Sequence, residues 1–185
     1  MTTVERPAQE NVTIRLRRAE PADAADVAAF AARTFAEAFG ADNHPADMAA
    51  HLAGAYGVAQ QTRELTDPEY ITVLVQNDSG LLAYAQLRQH EPPPNVMERA
   101  SVELRRFYVD SGWHGRGIAQ RLMMHVFETA RELGGDAIWL SVWERNPRAI
   151  AFYVKCGFRD VGVTDFYVGS DRQTDRVMLA ELQRR

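Results

Sequence analysis

Three glycines fall within the six residues Gly112–Gly117 (GWHGRG), and the chain then runs straight into the amphipathic stretch IAQRLMM. Glycine is costly inside regular structure, so such a cluster at the mouth of a helix suggests that the backbone itself is used. Unpaired N–H groups and the positive helix end favour an anion at that point, commonly a phosphate. Three ligand classes compete: a P-loop nucleotide, a dinucleotide and the pyrophosphate of coenzyme A. The P-loop lacks its Lys-Ser/Thr, because the helix opens GIAQRL. The dinucleotide fingerprint is incomplete, and the following strand has no suitable acid at its end. A strand-to-helix turn holding no ligand also fits the glycines alone.

Other reactive residue types lie nearby. Tyr153 follows Asn146 by two helical turns, so the two share a face. Taken alone, Tyr153 reads as a core aromatic with a wet tip before it reads as a proton donor. Asn146 reads as a helix cap. Glu103 lies on the same strand as Val109 at even spacing, which places both on one face. It is a candidate base or an exposed strand carboxylate. The single cysteine, Cys156, has no local His/Asp set to activate it and reads as a packing residue. It forms no intrachain disulfide, and no Cys/His cluster has zinc spacing, so no metal is expected. His44, His51 and His90 are scattered and read as structural or solvated.

The elements that must position these groups are legible in outline. VTIRLRRA (12–19) alternates as a strand, and a helix with Val27, Phe30, Ala31, Phe35 and Phe39 on one stripe follows Pro21. Two shorter helices run to Pro68. YITVLVQ, the NDSG turn and LLAYAQLRQ form a β-hairpin. ASVELRRFYVD (100–110) is a strand, and Ala119, Leu122, Met123, Val126, Phe127, Ala130 and Leu133 form a helical stripe ended by Gly134-Gly135. DAIWLSVW is a buried strand. NPRAIAFYVKCG is a helix with Asn146 as cap, Pro147 at its first position and Gly157 past its end. The tail is a strand pair turning near residues 169–173. The order gives one α/β (α+β) domain, a mixed and mostly antiparallel sheet with a central β-α-β crossover. Residues 1–11 read as a flexible N-terminus and 12–185 as one domain.

The chain has 185 residues, 46% apolar and 25% charged, with net charge −4. This is ordinary for a soluble domain with its own core and does not suggest a nucleic-acid partner. There is no signal-peptide pattern or membrane-spanning run, so a cytoplasmic location is expected.

The two halves ELRRFYVDSGWHGRGIAQRLM and IWLSVWERNPRAIAFYVKCGF together resemble the GCN5-related N-acetyltransferase (GNAT) superfamily. The family loop [QR]-x-x-G-x-[GA] is matched from His114 to Ala119, with His114 replacing Gln/Arg. TFAEAFGADNHPADMAAHLAGAYG and FYVGSDRQTD look like the PaiA-type branch, whose described members acetylate polyamines such as spermidine and spermine. The resemblance implies a single GNAT-like domain of about seven strands with four or five flanking helices. It implies direct acetyl transfer from acetyl-CoA, without a metal, to a primary amine of a small substrate. Phe107, Tyr108 and Val109 would line the pantetheine, with the Val109 N–H facing the thioester carbonyl. The N–H groups of His114, Gly115, Arg116, Gly117, Ile118, Ala119 and Gln120 would hold the pyrophosphate. Asn146 would contact the cofactor, Tyr153 would be the general acid and Glu103 the base. The acceptor would meet carboxylates such as Glu37, Asp42 and Asp47 and walls such as Tyr56, Tyr84 and Tyr167. A protein N-terminal or lysine acetyltransferase is the alternative within the class, and a non-catalytic coenzyme A-binding module the alternative outside it. The resemblance is compatible with a homodimer and requires neither nucleic acid nor membrane.

Overall fold

The structure is a computed structural model that describes residues 13–98 and 100–182. The segment 1–11 and Val12 of the expected first strand lie outside the described residues. A short strand, β1 (Arg15–Arg18), precedes three helices: α1 (Ala24–Phe39), α2 (Pro45–Tyr56) and α3 (Val58–Thr66). Then come β2 (Tyr70–Asn77), β3 (Gly80–Arg88), β4 (Ser101–Val109), α4 (Ile118–Glu132), β5 (Ala137–Trp143), α5 (Pro147–Lys155), β6 (Arg159–Val168) and β7 (Asp171–Glu181). The seven strands form one sheet in the order β1-β2-β3-β4-β5-β7-β6. Only β4 and β5 run parallel, joined by a crossover through α4.

Helices cover both faces. Leu122, Met123, Val126 and Ala130 of α4, with Tyr153 of α5, pack on Val73, Val75, Ala85, Ile138 and Leu140 of the sheet. Val27, Phe30, Ala31 and Phe35 of α1 pack with Tyr56 of α2 on Leu74, Tyr84 and Val168 of the other face. Local chemistry sets the helix ends that matter for the site. The Asn146 side chain accepts from the Ala149 N–H at 3.1 Å, Pro147 supplies a pre-set φ, and Gly157 at φ 94° lets the chain leave α5.

Two irregularities shape the centre of the sheet. The parallel pair β4–β5 holds register only from Ser101↔Ala137 to Glu103↔Trp139, and beyond that the strands splay. In the β3–β4 ladder Leu87 opposes Leu104 while Gln86 opposes Arg106, so Arg105 is an extra, bulged residue. The bulge reverses the side-chain phase. Val102 and Leu104 face α4 before it, and Phe107 and Val109 face α4 after it. Glu103 therefore does not share a face with Val109, as even spacing would require; it lies with Arg106 and Tyr108 on the α1–α3 side.

Candidate active site

The splay between β4 and β5 opens a cleft of about 700 Å³ that passes from one face of the sheet to the other. On the α4 side it is lined by Phe107, Val109, the loop at His114–Gly117 and the first residues of α4. Asn146, Arg148, Ala149, Phe152 and Tyr153 of the α5 segment complete that side.

The orientation of Val109 follows from ladder parity. Asp110 N–H donates to Leu82 O at 2.8 Å, so the alternate residue, Val109, turns its N–H and C=O away from β3. They face the gap left by β5. The Val109 carbonyl is taken by the His114 ring, whose Nε2 lies 3.0 Å away, while Arg148 approaches Nδ1 at 3.3 Å. An arginine is always a donor, so Nδ1 accepts and Nε2 carries the hydrogen that Val109 O receives. His114 thus ties the loop to both β4 and α5, and the Val109 N–H remains directed into the split.

The glycine loop turns through left-handed backbone at Gly115 (φ 74°) and Gly117 (φ 79°), conformations that side chains resist. The N–H groups of Gly115, Gly117, Ile118, Ala119 and Gln120 meet no acceptor among the described residues. Free N–H groups at the start of a helix form a cradle suited to an anion. Two of the expected donors differ. The His114 N–H points to Ser111 O at 3.3 Å and the Arg116 N–H to Trp113 O at 3.4 Å, because both close the turn that presents the others. The Arg116 guanidinium stacks 5.0 Å over the Trp113 ring rather than lining the cleft.

Tyr153 is 9% exposed, packs edge-on to Phe107 at 6.3 Å, and lines the cleft. Burial, with a smaller contribution from neighbouring Cys156, pushes its phenol above the usual range, so it keeps its proton across physiological pH. Burial likewise raises the Cys156 thiol, which suits packing rather than nucleophilic attack.

The α1–α3 side of the cleft is a chamber. Phe35, Phe39, Tyr56, Trp143 and Phe166 supply aromatic walls. His51 stacks on Phe35 at 4.7 Å, and burial together with Arg106 lowers its pKa, which favours the neutral ring. The floor is held by a buried ion pair between Arg106 and Glu64, 6% and 2% exposed. Arg106 also donates to Gln86 Oε1 at 2.9 Å and Ala55 O at 3.1 Å, and its guanidinium lies 4.9 Å from the Tyr56 ring centre. Tyr56 and Tyr108 place their hydroxyls 3.4 Å apart above it.

The carboxylates sort differently from the expectation. Glu37 lines the chamber, bonded to Arg33 at 3.0 Å. Asp42 does not line it. Asp47 accepts from the Ser170 N–H at 2.8 Å and Ser170 hydroxyl at 3.0 Å, which latches the β6–β7 hairpin onto α2. Gln173 adds a second latch to Asn43 at 2.7 Å. Tyr84 is fully buried and Tyr167 is 54% exposed outside the cleft, so of the three expected walls only Tyr56 serves. Glu103 lines the cleft at the apex of the splay, but its Oε2 sits 2.9 Å from Arg88 Nε in an ion pair not aligned as a hydrogen bond.

The residue that sequence reasoning missed is Asp175. It is 5% exposed, sits opposite Trp143 on β7, and lines the chamber with Oδ1 lacking any donor among the described residues. Burial, aided by Glu144 and opposed by Ser141, pushes it up to about 6. The only signal for it in the chain was its place at the end of the phrase FYVGSDRQTD.

A split parallel pair with an N–H cradle at one end is matched by what the chain resembles. The model of the acetyltransferase (GNAT) family matches residues 31–158. The chain belongs to the GNAT acetyltransferase family. An uncharacterized N-acetyltransferase of Mycobacterium tuberculosis is 34% identical over 160 residues, 86% of this chain and 98% of that protein. The N-alpha-acetyltransferase RimI of the same organism is 32% identical over 118 residues, 62% of this chain and 70% of that one. Among solved structures, the PaiA N-acetyltransferase of Thermoplasma acidophilum in complex with coenzyme A has a TM-score of 0.73 at 17% identity, covering 91% of this chain and 99% of that one. The family transfers acetyl from acetyl-CoA, so this GNAT domain is an acetyl-CoA-dependent N-acetyltransferase. Its residues fit that donor: the cradle N–H groups are unsatisfied and suited to a pyrophosphate, and β4 offers an unpaired edge at Val109. No helix among the described residues is long and apolar enough to cross a membrane.

Proposed function

We propose that the chain acetylates a primary amine of a small, flexible, cationic substrate of the polyamine type, such as spermidine or spermine. One observation carries this reading: the split in the sheet joins a backbone anion cradle on one face to an aromatic, carboxylate-bearing chamber on the other. Aromatic walls suit the methylenes of such a substrate, and Glu37 and Asp175 suit its ammonium groups.

The donor, when bound, supplies an acetyl thioester to a neutral amine. The N–H groups of Gly115, Gly117, Ile118, Ala119 and Gln120 would hold its pyrophosphate, and Phe107, Tyr108 and Val109 its pantetheine. The Val109 N–H would donate to the acyl oxygen, where preorganised donors act most strongly. Tyr153, kept protonated by burial, would give its phenolic proton to the sulfur. Asn146 spends its Oδ1 on capping α5, which leaves its Nδ2 for a cofactor contact.

A second reading, acetylation of a peptide N-terminus, is favoured by the likeness to RimI. The latches from Asp47 and Asn43 hold the β6–β7 hairpin beside the chamber, which supports a small substrate over an extended peptide. Thiol release from acetyl-CoA, measured with spermidine, spermine, amino acids, aminoglycosides and an N-terminal peptide, separates the two. Turnover with the polyamines is expected; turnover with peptide alone would overturn the proposal.

A further inference from the structure

We propose that Asp175, and not Glu103, is the carboxylate that takes the proton from the incoming ammonium. The proposal deepens the amine-acetylation reading and rests on it. Three observations support Asp175. It lies on the chamber side of the split, the face that Glu103 also takes once the Arg105 bulge is counted. Its Oδ1 is buried and meets no donor among the described residues, in a side chain that lines the cleft. Glu103, by contrast, already has a cation beside it, Arg88 at 2.9 Å.

The surroundings leave Asp175 without a cation of its own. Glu144 lies past the end of β5 and repels its charge, and Ser141 of β5 is a neutral contact. Thr164 faces it from β6. Arg176, the next residue on β7, turns to the other face and bonds Asp160 at 2.6 Å. Across the chamber stand Glu37 on α1 and His51 on α2, while Arg106 is committed to Glu64. Arg105 and Arg148 also line the cleft, Arg148 reaching His114. An entering ammonium would therefore be the cation that Asp175 lacks. In the transfer, one N–H bond of the ammonium breaks and one O–H bond forms at Asp175. The electron pair stays on nitrogen, ready for attack, and Asp175 later gives the proton to water in the cleft. Burial makes this carboxylate a stronger base than an ordinary aspartate, which narrows the gap to an ammonium.

The test compares Asp175→Asn and Glu103→Gln with the intact enzyme. It reads kcat/KM against pH with spermidine, and again with trifluoroethylamine, which is already neutral at pH 7. Asp175→Asn should lower kcat/KM for spermidine by about 10²-fold and remove the acidic limb near pH 6. It should cost far less with the weakly basic amine and leave acetyl-CoA affinity unchanged. Glu103→Gln should keep the limb. An Asp175→Asn enzyme that keeps the limb, or that loses both amines equally, overturns the proposal, as does loss of the limb in Glu103→Gln. If the intact enzyme turns over no amine, the substrate reading fails by itself. Carbon-13 NMR titration of aspartate carboxyls, assigned with Asp175→Asn, then decides: no carboxyl titrating near pH 6 overturns the role of Asp175.

Discussion

Replacing Asp175 by asparagine should make the protein more stable while impairing it, and the size of the effect follows from burial. The carboxyl titrates at about 6 in the folded chain against 3.8 for an unperturbed aspartate. A carboxyl raised on folding favours the native state when protonated. Its contribution is fully present below the unfolded pKa and is lost as pH rises through the folded one. The loss therefore accumulates between about pH 4 and pH 6. A shift of roughly two units corresponds to about 3 kcal/mol, at about 1.4 kcal/mol per unit. The neutral amide of Asp175→Asn escapes this cost. Above pH 7 the variant should melt higher than the parent by several degrees, at about 2–4 °C per kcal/mol for a domain of this size. At pH 5 the advantage should shrink by about half, and in stronger acid it should vanish. Melting curves for both proteins from pH 4.5 to 8 give the answer. A Tm difference that does not change with pH, or a variant less stable at pH 8, would refute the reasoning. Stability gained as activity is lost is the pattern of a group kept for function against the preference of the fold.

Other outcomes follow from neighbouring features. Tyr153→Phe should lower kcat by about 10²-fold with little change in acetyl-CoA affinity; an unchanged kcat removes the phenol from the mechanism. Gly117→Ala forces a side chain onto φ 79° at the cradle, and should raise KM for acetyl-CoA more than it lowers kcat. A pure kcat effect would argue against the cradle. Glu64→Gln leaves Arg106 buried without its counter-charge and should cost about 3–5 kcal/mol in denaturant unfolding. In the parent, burial pushes Glu64 up but Arg106 more than offsets it, so the carboxyl is held below its ordinary value. That stabilisation is present at neutral pH and is lost as acid protonates Glu64. A loss below about 1 kcal/mol would contradict a buried, unscreened pair.

The glycine loop and the α5 helix were legible because their signals are local. Gly115 and Gly117 announce left-handed turns, and Asn146, Pro147 and Gly157 mark both ends of one short helix. Each of these works within a few residues of chain. The acceptor half was not legible for the opposite reason. Trp143, Phe166 and Asp175 meet Phe35 and Tyr56 only through strand pairings and latches that span more than a hundred residues, such as Asp47 with Ser170. Tyr167 illustrates the cost of a one-residue phase choice, since its neighbour Phe166 lines the cleft instead. The same holds for Glu103. Even spacing to Val109 is a sound rule for an uninterrupted strand, and nothing in ELRRFYV marks Arg105 as the residue that β3 leaves out.

The splay of β4 from β5 also has a thermodynamic side. A sheet left unzipped at its centre carries an internal edge, which the pantetheine arm would complete under the proposed binding. The native chain is therefore stabilised by RT ln(1 + [acetyl-CoA]/Kd), about 1.4 kcal/mol for each tenfold of saturation. Under that binding the stability of the protein would track the acetyl-CoA level around it, seen as a Tm that climbs with ligand concentration.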